Sequence, residues 1–116
     1  MSKKIQKLRN RAFVAQGGLC WYCGCTMRND GLHSPLMCTA EHLIARSDGG
    51  RTTAVNIVAA CRYCNAGRHR QETVLAPEHF KQFVMGRLRK GKWRGEQRRP
   101  KAKPATQSAP IGLNPS

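Results

Sequence analysis

Acidic residues are scarce in this sequence: 6 Asp plus Glu stand against 21 Lys plus Arg, a formal charge of +15 over 116 residues. Such an excess repels itself in a compact chain, and an anionic polymer such as DNA or RNA is the partner that best relieves it. No apolar run approaches the roughly 18 residues that cross a bilayer, and no charged-then-apolar leader opens the chain. The expectation is therefore no membrane partner and a cytoplasmic setting of bacterial or phage intracellular type. Internal repeats are missing apart from one short cysteine motif, as is any separate target-reading domain. A chain this short also buries only a modest share of its surface, so apolar burial alone is a thin source of stability.

Cysteine offers a second source. The chain has Cys20, Cys23, Cys25, Cys38, Cys61 and Cys64, and four of these fall in two Cys-x-x-Cys knuckles, CWYC and CRYC. Disulfide frameworks belong mainly to exported chains, whereas two knuckles bring four thiolates to one tetrahedral metal, which then contributes folding energy. Structural Zn²⁺ held by Cys20, Cys23, Cys61 and Cys64 is the favoured reading. Residues 24–60 form a longer spacer than the roughly 15–20 residues of many zinc ribbons, so the knuckles clamp the two ends of a larger insert. Cys25, just past the first knuckle, and Cys38, in the apolar run LMC, are read as free thiols, the latter behaving as a small hydrophobe.

Periodicity supplies the scaffold. Ile5, Leu8, Ala12, Phe13 and Ala15 recur near helical spacing among basic residues, which predicts a basic amphipathic helix over Lys3–Gln16 that Gly17-Gly18 stops. Turn signals over RNDGLHSP (28–35) precede a short strand, Leu36–Ala40, that ends at Glu41-His42. A polar loop, 46–54, breaks at Asp48-Gly49-Gly50. A second strand follows over Val55–Ala60, then a polar helix from about Arg62 to Glu72 that begins in the second knuckle. Pro77 suits the first turn of a last helix, down to about Lys90, with Phe80, Phe83, Val84 and Leu88 on one face. Beyond it the chain is basic and poor in apolar residues, which predicts a disordered tail. The fold class is small α+β, divided into an N-terminal helix (1–17), a core (18–75), a C-terminal helix (76–90) and a basic tail (91–116).

The ordered set Cys20-Cys23, Glu41-His42, Asp48-Gly49-Gly50, Asn56, Cys61-Cys64 and Asn65 resembles the HNH endonuclease family in its zinc-knuckle branch. The resemblance spans roughly Gly18–Arg70, and its specificity lies in several elements agreeing in order and spacing. It implies a ββα-metal (His-Me finger) core: two strands joined by a long loop, then a helix, with a catalytic divalent ion between strand and helix. By the same resemblance His42 is the general base, Glu41 a ligand of the ion, Asn56 the residue that orients the base and ties down the loop, and Asn65 a second ligand. Most relatives carry Asp at the Glu41 position, a departure that bears on ion placement and on the choice between Mg²⁺ and Mn²⁺. His69 lies four residues after Asn65, one helical turn on, and is a further candidate ligand.

The implied activity is metal-dependent hydrolysis of phosphodiester bonds in DNA, leaving 5′-phosphate and 3′-hydroxyl ends. Two other readings share parts of the pattern: a noncatalytic zinc-stabilised nucleic-acid-binding module, which has no use for Glu41, His42 and Asn65 together, and a nuclease directed at RNA. Arg46, Arg51, Arg68 and Arg70, with Arg62, flank the proposed site. They are read as phosphate contacts in preference to a merely solvated face. A homodimer or a larger nuclease assembly is compatible with so small a chain. His33 and His79 carry no such context and are read as ordinary surface histidines. Trp93, in the basic run RLRKGKWRGEQRRPKAK, has two readings of equal standing: stacking on a base or packing back on the domain.

Overall fold

The computed structural model describes residues 2–93, and the part of the predicted disordered tail beyond Trp93 lies outside them. Helix α1 (Lys3–Ala15) starts where the Ser2 hydroxyl accepts the Ile5 N–H at 3.1 Å, a cap that satisfies one of the orphan donors of a helix start. It ends at Gln16, with Gly17 and Gly18 at φ 64° and 78°. Gln16 then fastens the helix to the sheet. Its side-chain amide donates to the carbonyls of Leu19 (2.7 Å) and Ala59 (2.8 Å), and its carbonyl accepts the Ala59 N–H at 2.9 Å.

Two strands, β1 (Cys38–His42) and β2 (Ile57–Cys61), pair antiparallel with Cys38 opposite Cys61 and His42 opposite Ile57. Each begins two residues later than periodicity predicts. Leu36 and the Cys38 N–H pair with Arg28 in the segment after the first knuckle, and Val55 is 90% exposed while Asn56 serves the loop. Helix α2 (Arg62–His69) follows β2 directly. It stops short of the expected Glu72 because the chain turns back there, and Arg68 holds the carbonyl of Leu75 at 3.0 Å. Helix α3 (Pro77–Arg89) opens on its proline as expected.

The core lies where the knuckles, the sheet and α3 meet. Tyr22, Phe80, Val84, Ala59, Ala60 and the cysteines form one buried cluster, in which each large side chain contributes roughly 1.5–3 kcal/mol. Phe80 meets Tyr22 edge-on at 5.1 Å between ring centroids. Trp93 is 7% exposed and joins the same cluster, settling its two readings in favour of packing on the domain.

The loop between the strands carries a short 3-10 turn, Arg46–Asp48, closed by Gly49 at φ 89°. Gly50 is required for a different reason: a Cβ there would overlap the Ile44 carbonyl oxygen. Ala substitution should separate the two. Gly49→Ala has open space around it and pays only the left-handed backbone cost, about 1–2 kcal/mol. Gly50→Ala must displace backbone and should cost more than its neighbour in a denaturant titration. Equal losses would mean that the loop yields freely at Gly50.

Candidate active site and zinc centre

The two knuckles bring the sulfurs of Cys20, Cys23, Cys61 and Cys64 within 4.8 Å of one another, all four buried. A tetrahedron of sulfurs around zinc has edges of about 3.8 Å, and the Cys23–Cys61 separation is 3.9 Å. Backbone N–H groups of Tyr22 and Cys61 point at the Cys20 sulfur (3.4 and 3.3 Å), and that of Cys64 at the Cys61 sulfur (3.4 Å). A fourth donor is a side chain, the indole N–H of Trp93, 3.2 Å from the Cys64 sulfur. Such donors stabilise the negative charge that thiolate ligands carry. Burial opposes ionisation of Cys20, but hydrogen bonds with the neighbouring cysteines outweigh it and hold its pKa well below the ordinary thiol range. Cys23 loses through its bond with Cys20 yet gains more from the other sulfurs and falls to about 4. The donor set and spacing fit a structural zinc.

None of the six cysteines is in a disulfide. Cys25 is buried beside the cluster, and its carbonyl accepts the Cys20 N–H at 2.9 Å. Cys38 lies apart, and burial pushes its thiol up to about 11.

Alternation along β1 turns Thr39 and Glu41 toward α2. Glu41 is 2% exposed, and its two oxygens have different surroundings. Oε2 accepts from the Tyr22 hydroxyl and from Arg68 Nη1, each at 2.7 Å. Oε1 faces His69 Nε2 at 3.1 Å, and the His69 side chain is 40% exposed. One carboxylate oxygen is thus locked while the other meets solvent through a histidine. Asn65 donates its Nδ2 to Thr39 Oγ1 (3.0 Å) and to the Ala40 carbonyl (3.2 Å). Glu41 and His69 thus meet between β1 and α2, and Asn65 is fastened to the same strand.

His42, at the end of β1, sits with Nε2 3.0 Å from the Thr52 hydroxyl. Burial and then the Arg46 charge lower its pKa below the ordinary 6.5 and so favour the neutral ring, while Glu41 pulls the other way. The hydrogen bonds of the Asn56 side chain go to the loop and not to His42. Its amide closes the loop, accepting the Ile44 N–H at 2.8 Å and donating to the carbonyls of Ile44 (3.0 Å) and Arg51 (2.9 Å). That pinning brings Thr52 to the imidazole.

Arg46, Arg51 and Arg70 are exposed, but Arg68 departs from the expected phosphate-binding role. It is 3% exposed and donates to Glu41, to the Tyr22 oxygen at 3.2 Å and to the carbonyls of His42, Leu43 and Leu75. A guanidinium this deeply buried, with all three nitrogens turned to buried acceptors, is not presented to a phosphate. Tyr22 was the other residue that spacing alone did not single out. Burial first and the Glu41 charge second raise its pKa above the ordinary tyrosine value, so it stays a donor. Its only sequence signal is its place inside a knuckle, directly before Cys23. Thr52 carries none.

Residues 20–71 match the model of the HNH endonuclease family. The matched segment holds the two strands and the helix that follows them, an order that suits the ββα-metal fold of that family, whose members are usually nucleases that act on nucleic acids with divalent metals. No curated protein matches the chain. No helix among the described residues is long and apolar enough to cross a membrane.

The zinc assignment predicts about one tightly held zinc per chain. Cys61→Ser should lose most of it and unfold at much lower temperature, while Cys25→Ser should retain it, as judged by metal analysis and thermal melting. Equal losses in the two variants would contradict the four-thiolate site.

Proposed function

We propose that the protein is a metal-dependent endonuclease that hydrolyses phosphodiester bonds of DNA. The observation that carries the reading is the pair at the end of β1, where a neutral-leaning imidazole, His42, follows a carboxylate, Glu41, with one oxygen turned toward His69.

With its Nε2–H donating to Thr52, His42 offers the Nδ1 lone pair to a water. His42 takes one proton as the water oxygen bonds to phosphorus, the P–O3′ bond breaks, and the departing O3′ acquires a proton from solvent. The products are 5′-phosphate and 3′-hydroxyl ends. Glu41 Oε1 and Asn65 Oδ1, with His69 as a third ligand, would hold Mg²⁺ or Mn²⁺. When bound, that ion neutralises charge on the phosphate and on the leaving oxygen. The donor set fits such an ion, because a hard cation takes few protein ligands and keeps several waters. Asn56 acts through the loop, holding Thr52 against the base. Arg46, Arg51 and Arg70 are placed on the surface to meet flanking phosphates, where they add salt-sensitive affinity without reading sequence.

The test is conversion of supercoiled plasmid by zinc-loaded protein with Mg²⁺, Mn²⁺ or EDTA, with an RNA substrate alongside. His42→Ala should lower the rate roughly 100- to 10,000-fold while keeping the melting temperature and DNA binding. Because the base must be neutral, kcat/KM should rise with pH and level off, with its midpoint below 6.5. DNA binding without cleavage under every metal would favour the noncatalytic module. Cleavage of RNA alone would move the substrate, and a fully active His42→Ala would overturn the base assignment.

A further inference from the structure

The family match ends at residue 71, yet one contact to the zinc centre comes from well beyond it. Trp93 follows the C-terminal end of α3 and folds back so that its indole N–H lies 3.2 Å from the sulfur of Cys64. The ring is seated rather than resting on the surface. It meets Tyr63 edge-on at 5.0 Å, Phe83 at 6.0 Å and Phe80 at 6.1 Å between centroids. The indole edge also packs against α2 at Gly67, where a Cβ would stand 3.6 Å from it, at ordinary contact distance.

We propose that Trp93 is a positioning residue of the zinc centre, donating its indole N–H to the Cys64 thiolate and closing the metal against solvent. The physical case has two parts. Cys64 sits in α2, where its own N–H is turned to Cys61, so the indole is the donor that the surroundings supply to the Cys64 sulfur among the described residues. A donor to a ligating thiolate withdraws charge from sulfur and orients the ligand, and removing such outer contacts weakens metal affinity measurably. The ring also covers the side of the cluster that faces α3. By reciprocity, whatever Trp93 contributes to zinc retention, zinc contributes to holding residues 90–93 on the domain. The minimal zinc-retaining unit therefore runs past the family-matched segment to Trp93. This inference is independent of the nuclease reading.

Trp93→Phe keeps an aromatic ring, though a smaller one, and removes the N–H. In the full-length chain it should speed zinc transfer to a chromogenic chelator by about 10-fold, with the far-ultraviolet circular dichroism unchanged. In the cobalt-substituted chain the thiolate-to-metal absorption should move to lower energy, because one sulfur has lost a hydrogen bond. A merely packing role would speed release without moving the cobalt band. A second measurement needs no variant at this position: in the cadmium-113-loaded chain, the Trp93 indole proton should exchange slowly with solvent and show coupling to the metal through the sulfur. Wild-type release rates or an unshifted cobalt band in Trp93→Phe would overturn the proposal. So would a fast-exchanging, uncoupled indole proton, and that result decides the matter if Trp93→Phe fails to fold.

Discussion

Four sulfur atoms drawn to one point are the constraint on which the rest of this structure depends. The knuckles lie at opposite ends of the insert, so a metal shared by them would close a long loop and fix where β2 ends and α2 begins. Closing it in the unfolded chain costs entropy that a core built around Phe80, Val84 and Tyr22 is small to offset alone. The same closure sets the site. Tyr22 belongs to the first knuckle and reaches Glu41, while Asn65, Arg68 and His69 belong to the helix that the second knuckle starts. Metal frame and candidate catalytic groups are one construction.

Glu41 shows how that frame handles charge. A buried carboxylate is costly unless paired, and Arg68 pairs it at the price of a second buried charge that needs its own acceptors. Those acceptors are three backbone carbonyls and the tyrosine oxygen. The arrangement rigidly orients Glu41 through Oε2 and leaves Oε1 toward His69, so an ion would meet one oxygen in a fixed position. Arginine thus stands in two settings among the described residues: Arg68 is buried beside Glu41, and Arg46, Arg51 and Arg70 are exposed.

Much of this was legible in the sequence because it rests on short-range rules. Paired Cys-x-x-Cys motifs, the double glycine and the Glu-His pair each state a local requirement, and the strand, loop, strand, helix order follows from them. Strand starts slipped by two residues because Leu36 and Val55 satisfy β propensity while their backbones are engaged elsewhere or exposed. Arg68 was misplaced because nothing local marks an arginine as buried; its partners lie on β1, in the first knuckle and after α2. Trp93 was undecided for the same reason, its pocket being formed by Tyr63, Gly67 and Phe80 from two helices. Tyr22 and Thr52 act through contacts that only the closed loop creates.

The account stands or falls on whether Glu41 holds a second ion beside the zinc. Electron paramagnetic resonance titration of the zinc-loaded chain with Mn²⁺, run beside Glu41→Gln, measures this directly. One Mn²⁺ site per chain, weakened at least about 10-fold in Glu41→Gln with zinc content unchanged, is the predicted result. Equal Mn²⁺ binding by the two proteins would show that Glu41 is only a buried partner of Arg68, and that the catalytic ion, if any, sits elsewhere.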